Sequence, residues 1–241
     1  MARDNIYANP HDAVDAFAFD EAVTRVFPDM IKRSVPGYNL IIPMIGVITE
    51  QYAQANSTLY DLGCSLGASL LAMRHGVKHD GCKVVGIDNS QAMIERCRSY
   101  VDIDNAKVPV ELYEGDVTEF EYQNASVITL NFTLQFIDQD KRLDLIQSLY
   151  DALLPGGALI LSEKICFDNA KEQEIQQELH WDFKRANGYS DLEISQKRSA
   201  LENVLVPESQ TQQIERLKGA GFREAFQWYQ CFNFSSFIAV K

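Results

Sequence analysis

Positive charge is scarce in this chain: 22 Lys and Arg stand against 34 Asp and Glu, a formal net charge of −12. That balance argues against a sequence-independent grip on a phosphate backbone, which needs clustered cations, so no direct nucleic-acid binding is expected. The five cysteines, Cys64, Cys82, Cys97, Cys166 and Cys231, form no C-x-x-C pair and no regular spacing. Neither a zinc site nor a disulfide framework is indicated, and no metal is expected. No uninterrupted apolar run approaches the roughly 20 residues of a membrane span. The start Met1-Ala2-Arg3-Asp4-Asn5 lacks the apolar core of a secretory leader. A soluble cytoplasmic protein with free thiols is the expectation. Internal repeats, low-complexity tracts and linkers are also missing. What is present is an apolar fraction of 46% over 241 residues, which supports a sizeable core in a single domain, 1–241.

The chain is organised around Leu59-Tyr60-Asp61-Leu62-Gly63-Cys64-Ser65-Leu66-Gly67, the end of a buried strand entering a glycine turn, followed by the helical run Ala68-Ser69-Leu70-Leu71-Ala72-Met73. Gly63 and Gly67 permit a sharp turn and close approach of a ligand, and the helix behind them starts with free N–H groups. The same letters spell G-x-S-x-G, the pattern of a serine nucleophile on a strand-to-helix elbow. Upstream, apolar residues from Phe19 to Ile48 fall at helical spacings broken at Phe27-Pro28 and at Val35-Pro36-Gly37-Tyr38. Short helices are expected there, one over about 38–52, forming a cap (about 19–52) over the edge of the domain. Tyr38 either leans from that cap into a ligand or is half-buried packing.

After the turn, strands and helices alternate. Strands are expected at Lys83 to Asp88, Val110 to Glu114, Val127 to Phe132 and Ala158 to Glu163. Ser90 is placed to cap a helix through Met93, Ile94 and Cys97. Leu143, Ile146, Leu149, Tyr150 and Leu153 mark one face of another helix, which Pro155-Gly156-Gly157 is expected to stop. From about 165 to 205 the pattern becomes a polar helical insertion: Asn169 to Ala186, a break at Asn187-Gly188-Tyr189, then Ser190 and Glu193 at capping-box spacing. Ser209 and Gln212 repeat that spacing before a helix ending at Gly221. Two aromatic-rich runs, Glu224 to Cys231 and Phe234 to Val240, are joined by Phe232-Asn233 alone, so they pair antiparallel. The fold class is α/β: a Rossmann-like, seven-stranded, mostly parallel sheet with a C-terminal antiparallel hairpin and helices on both faces.

In such a sheet, ligands bind beyond the carboxyl ends of the strands, where the strand order reverses. The Gly63-to-Gly67 turn, Asp88, Asp116 and Asn131 fall there. Asp88 stands 21 residues after Gly67, the usual distance for an acid that binds ribose hydroxyls, and Asp116 suits an adenine amino group. These spacings favour a nucleotide-like cofactor, either a dinucleotide or S-adenosylmethionine. The dinucleotide fingerprint G-x-G-x-x-G is missing, since Ser65 occupies the second glycine position; a sulfonium nucleoside, with no pyrophosphate to seat, tolerates that change. The terminal hairpin also weighs against a dehydrogenase. A hydrolase based on Ser65 needs an acid and then a histidine. Of His11, His75, His79 and His180, only His180 follows with enough intervening sheet, and it falls in the polar helix of the insertion.

The order of elements, with Asp61-Leu62-Gly63-Cys64-Ser65-Leu66-Gly67, Gly86-Ile87-Asp88-Asn89-Ser90, Glu114-Gly115-Asp116 and Leu154-Pro155-Gly156-Gly157, resembles the class I S-adenosylmethionine methyltransferase fold. More specific are Phe27-Pro28-Asp29-Met30-Ile31 with Arg33-Ser34-Val35-Pro36-Gly37-Tyr38, Leu130-Asn131-Phe132-Thr133-Leu134-Gln135-Phe136, and Asp182 to Ser190 continuing to Ile194-Ser195-Gln196-Lys197-Arg198. Together these resemble the carboxy-S-adenosyl-L-methionine synthase family from about Phe19 to Val240.

That resemblance implies conversion of S-adenosyl-L-methionine and prephenate to carboxy-S-adenosyl-L-methionine and phenylpyruvate. It implies cofactor binding by Tyr38, Gly63, Cys64, Ser65, Asp88, Asn89, Asp116, Val117 and Asn131, and carboxylate binding by Arg198, across a homodimer if the neighbouring subunit's site is the one served. A downstream tRNA carboxymethyltransferase would use the product on wobble uridine. From spacing alone, Arg198 reads rather as a solvated arginine paired with Glu202 at i+4; Lys184 and Arg185 either attract an anionic prephenate or, the preferred reading, form a plain helix face. Small-molecule methyl transfer and non-catalytic cofactor binding are the rival functions; the Asn131-Phe132-Thr133 segment lacks the Pro-Pro-aromatic motif of enzymes that methylate amino groups on bases.

Overall fold

The computed structural model describes residues 2–10, 15–202 and 204–241, so His11 lies outside the described residues. In chain order the elements are α1 (Glu21–Ser34), α2 (Tyr38–Tyr52), β1 (Thr58–Leu62), α3 (Ala68–Gly76), β2 (Lys83–Asp88), α4 (Gln91–Ile103), β3 (Val110–Glu114) and β4 (Ala125–Asn131). A 3-10 turn (Leu134–Phe136) leads to α5 (Gln139–Ala152), β5 (Leu153–Cys166), α6 (Ala170–Ala186), α7 (Asp191–Leu201), β6 (Glu208–Ser209), α8 (Gln210–Gly219), β7 (Glu224–Cys231) and β8 (Phe234–Val240).

The main sheet runs β3-β2-β1-β4-β5-β8-β7. Strands β1 to β5 are parallel; β8 lies antiparallel to both β5 and β7. This is the seven-stranded sheet with a terminal hairpin expected from the sequence, with an eighth, two-residue strand added: β6 joins the end of β5 through Ile165–Glu208 and Cys166–Ser209. Near-continuous apolar strands need cover on both faces. On one face Leu62, Ile87, Ile128 and Leu130 pack with Ile146 and Leu149 of α5 and Leu217 of α8. On the other, Leu59, Val84, Val127 and Ile160 pack with Ile41 and Ile45 of α2 and Leu70 and Met73 of α3. Each such fully buried side chain contributes roughly 1.5–3 kcal/mol, so the two faces together dominate local propensity. A third cluster joins the N-terminal segment and α1 to α4 and α7 through Phe17, Val23, Met30, Met93 and Ala200.

Two expected breaks fall differently. Pro28 does not interrupt the helix but lies inside α1. Asp20 caps that helix by accepting from the Val23 N–H at 2.8 Å, and Val23, Val26 and Met30 bury its inner face. Together these offset the ~3 kcal/mol that a mid-helix proline costs. Pro155-Gly156-Gly157 does not stop α5; it lies within β5, and the helix ends earlier, at Ala152. The residue before a proline is driven to extended backbone, and Leu153 already pairs with Ala125. Leu153 is therefore a strand residue and Leu143 is exposed, so the buried face of α5 is Leu145, Ile146 and Leu149.

The chain returns from the insertion through a buried ion triad. Glu208 accepts from Arg142 Nη1 at 2.5 Å and also from Arg216 Nη2. On the neighbouring strand, the fully buried Glu163 accepts from the Leu134 and Gln135 N–H groups at 2.9 Å each, which ties the loop after β4 to β5. The next residue, Lys164, faces the opposite way, into the cavity described below.

Candidate functional site

The strand order reverses between β1 and β4, and a cavity of about 1040 Å³ lies at the carboxyl ends of these strands. Gly63 (φ 71°) and Gly67 (φ 83°) hold the turn in the left-handed region. A Cβ on Gly63 would meet Thr133 Oγ1 at 2.4 Å, and one on Gly67 would meet Cys97 Sγ at 2.6 Å. Between them Ser65 also takes a positive φ of 49°. Its N–H donates to Asp88 Oδ2 at 2.8 Å, while the Ser90 N–H donates to Oδ1 at 3.0 Å. Asp88 thus braces the turn; a carboxylate offers about four acceptor sites, so capacity remains for a ligand. Its burial raises its pKa, against the lowering effect of those two N–H groups.

Two acceptors beside the turn are unsatisfied. Asp61 is 1% exposed and its Oδ2 has no partner. Burial, reinforced by the charge of Asp88, pushes its pKa up to about 8 despite a hydrogen bond from the Leu70 N–H. Asn131 at the end of β4 donates through Nδ2 to Ser69 Oγ at 3.0 Å, yet its buried Oδ1 is unpaired. An unmade buried hydrogen bond costs about 1–3 kcal/mol, and a ligand rich in N–H donors or positive charge would relieve both. Asp116 is exposed at the rim, accepting from the N–H and hydroxyl of Thr118 at 2.8 Å each, with Val117 buried beside it and Asn89 on the same wall.

The other end of the cavity is basic. Lys164 of β5, Lys184 of α6, and Lys197 and Arg198 of α7 line it together with His180. Burial, then repulsion from Lys197 and Lys164, pushes the Lys184 ammonium down to about 7. Burial brings Lys197 to about 8 and lowers Lys164 as well. His180 donates from Nε2 to the Ser34 carbonyl at 2.9 Å, and burial followed by the charges of Lys184, Lys164 and Lys197 holds it well below its usual value. Between the two ends runs an aromatic wall: Tyr38 to Phe132 at 6.5 Å, Phe132 to Phe234 at 5.9 Å, Phe234 to His180 at 4.8 Å between ring centroids.

All ten residues singled out from the sequence, Tyr38, Gly63, Cys64, Ser65, Asp88, Asn89, Asp116, Val117, Asn131 and Arg198, line this cavity. Ser65 is not arranged as a nucleophile: its Oγ donates to Met93 Sδ at 3.4 Å, His180 is engaged with Ser34, and His75 with Asp104. Arg198 forms no pair with Glu202 among the described residues; its guanidinium lies 5.6 Å from the Trp181 ring centroid. Arg185 is on an outer helix face, paired with Asp182 and Asp191. Lys184 is not: it is 8% exposed and faces the cavity, a correction to the plain-face reading. The prephenate-facing alternative for Lys184 fits this placement; Lys164 and Lys197 were not singled out from the sequence. A signal was available, since Lys184 follows His180 by four residues and Lys197 lies three from both Ile194 and Ala200, so each shares a helix face with buried neighbours.

Among the described residues, no group of three or more His, Cys, Asp or Glu is placed to hold a metal, and no helix is long and apolar enough to cross a membrane. Residues 59–157 match the family model of a methyltransferase domain. Human N-acetylserotonin methyltransferase, solved in complex with S-adenosylmethionine, superposes with a TM-score of 0.62 at 14% identity, covering 92% of this chain and 55% of its own. That likeness shows the fold. Much nearer in sequence are proteins named carboxy-S-adenosyl-L-methionine synthase. The one from Marinobacter nauticus is 59% identical over 238 residues, 99% of this chain and 95% of its own; the one from Pseudomonas aeruginosa is 54% identical over 241 residues, 98% of each. Identity at that level over nearly the full length of both chains shows that this chain belongs to the carboxy-S-adenosyl-L-methionine synthase family.

Proposed function

We propose that this chain is a transferase that converts S-adenosyl-L-methionine and prephenate to carboxy-S-adenosyl-L-methionine and phenylpyruvate. The observation that carries this reading is charge separation within one cavity. Asp88 is buried beside the glycine turn with Asp116 at the rim, while Lys184 and Lys197, buried, and Lys164, half-buried, line the β5–α6–α7 side. A sulfonium nucleoside suits the first end and a dicarboxylate the second.

In this reading Tyr38, Gly63, Cys64, Ser65, Asn89, Val117 and Asn131 shape the nucleoside site, Asp88 takes the ribose hydroxyls and Asp116 the adenine amino group. Prephenate loses carbon dioxide and its ring hydroxide as it aromatises to phenylpyruvate. The hydroxide removes a proton from the sulfonium methyl group and leaves as water, and the resulting ylide carbon bonds to the carbon dioxide. The protein needs no strong nucleophile for this; it must hold two substrates in register and exclude water. The aromatic wall from Tyr38 to Phe234 supports the second requirement. Arg198 would grip the new carboxylate in a bidentate fashion.

The wider setting belongs to the same proposal: a cytoplasmic homodimer whose product supplies a carboxymethyltransferase acting on wobble uridine of tRNA. Exposed Ile175 and Leu179 on α6 and Leu192 on α7, the helix that carries Arg198, support a partner surface on these two helices. Mass spectrometry of the small molecule that copurifies with the protein, joined to an assay of prephenate-dependent phenylpyruvate release, tests the reading. Carboxylated S-adenosylmethionine and phenylpyruvate are expected. Methylated product without any need for prephenate would replace it with ordinary methyl transfer, and cofactor binding without turnover would replace it with a non-catalytic subunit.

A further inference from the structure

We propose that Lys164, Lys184 and Lys197 form a preassembled cradle for the two carboxylates of an organic dianion, at the end of the cavity away from the glycine turn. The inference deepens the reading above and rests on it for the identity of the co-substrate.

The three lysines come from three separate elements and converge on His180, whose ring feels the charge of each. Lys184 and Lys197 are 8% and 7% exposed, and all three line the cavity. Buried ammonium groups are ordinarily paired, because an unpaired one forfeits hydration with nothing in return. Here, among the described residues, neither Lys164 nor Lys184 has a carboxylate within 4.0 Å. Lys197 reaches Ser34 Oγ at 3.4 Å and Asp4 Oδ2 at 3.9 Å, and Asp4 is itself shared with the Tyr189 hydroxyl at 2.5 Å. Once protonated, the three ammonium groups outnumber the one carboxylate near them, Asp4, and that excess of positive charge is what a dicarboxylate complements.

The neighbourhood also selects an organic body over a small inorganic anion. Phe234 packs edge-on against His180, and Phe132 continues the apolar surface toward Tyr38, so the carbon skeleton between the carboxylates would lie on aromatic rings while its charged ends meet the lysines. Arg198 is separate from this cradle, exposed beside Trp181, which leaves it available to the group that is transferred.

Calorimetric titration of the full-length protein, saturated with S-adenosylmethionine, tests the cradle with two probes: prephenate, and malonate as an unreactive dicarboxylate. Charge-assisted hydrogen bonds of this kind make a loss of about tenfold or more in prephenate affinity the expectation for Lys164→Met and for Lys184→Met, with the affinity for S-adenosylmethionine held within about twofold. Lys184→Arg, which keeps the charge, is expected to recover much of the loss. Because each methionine variant replaces an amine that has no carboxylate partner with an apolar side chain of similar length, its melting temperature should match or exceed that of the parent, which separates lost binding from lost folding. Undiminished prephenate binding and turnover in the folded double variant Lys164→Met/Lys184→Met would overturn the cradle while leaving the reaction intact. Lysine-dependent binding of malonate with no binding of prephenate would support the cradle and overturn the choice of co-substrate. Binding of neither probe by the parent protein would overturn the cradle.

Discussion

A dicarboxylate that settles against Lys184 should draw protons out of solution, and their number can be worked out in advance. In the free protein Lys184 stands at about 7, held down by burial and then by Lys197 and Lys164, with Asp4 opposing. Lys197 stands at about 8, where burial and Arg33 outweigh the attraction of Asp4. Near pH 8 Lys184 is thus roughly one-tenth protonated and Lys197 roughly half. A carboxylate at hydrogen-bond distance favours the ammonium form and returns both toward the ordinary lysine value, so association takes up between one and one and a half protons, roughly. Lys164 adds to this in the same direction, because burial lowers it too. His180, held well below its usual value, remains neutral throughout. The ligand's own carboxylates are already ionised and contribute nothing. The bound state holds more protons than the free state, so affinity falls as pH rises from about 7 to 9, by up to about tenfold per pH unit for each proton taken up. Calorimetry of malonate binding in HEPES and in Tris at equal pH measures the uptake as the dependence of apparent enthalpy on buffer ionisation enthalpy. Normal binding with the same apparent enthalpy in both buffers would refute the reasoning.

Three further outcomes are expected. Arg198→Ala should weaken the carboxylated product by about tenfold, the lower end for a charge-assisted pair because the guanidinium is exposed, while S-adenosylmethionine binds nearly normally; equal losses for both ligands would remove the assigned role. Glu208→Gln leaves Arg142 buried without a counter-charge, a loss of about 3–5 kcal/mol that should lower the melting temperature by roughly 10 °C in a domain of this size; a change under about 3 °C in thermal denaturation would show that the triad is dispensable. Gly63→Ala forces a Cβ into Thr133 and a left-handed φ on alanine, and S-adenosylmethionine affinity measured by calorimetry should fall by about tenfold or more; wild-type affinity would mean that the turn yields without consequence.

The sheet was legible because its strands are short, nearly continuous apolar runs ended by Gly, Asp or Asn, and because the terminal hairpin leaves only two residues for its turn. The glycine turn and its acids were legible for the same reason: backbone chemistry fixes their spacing. Pro28 and Pro155 misled, since a cap and a buried face at α1, and strand pairing at Leu153, are tertiary facts that override a local breaker. The basic end was hidden more deeply. Lys164, Lys184 and Lys197 lie in different elements, and only the folded chain brings them around His180. Lys184 and Arg185 are adjacent and chemically alike, yet one is buried at the cavity and the other joins a surface ion network; a helix turns neighbouring side chains by about 100°, and nothing in their type says which faces inward.

Strand β5 carries a further consequence, for the fidelity of folding. Glu163 and Lys164 are consecutive, one receiving two backbone N–H groups in the core and the other facing the cavity. A slip of one residue would exchange their faces. The lysine would then confront the Leu134 and Gln135 N–H donors it cannot accept from, and the glutamate would enter the basic chamber and neutralise it. An apolar pair in these positions would leave such a misregistered strand nearly as comfortable as the native one. With an acceptor side chain at 163 and a donor at 164, the wrong register is penalised in the core and disarms the cavity at the same time, so a chain that folds stably has already had the polarity of its chamber proofread.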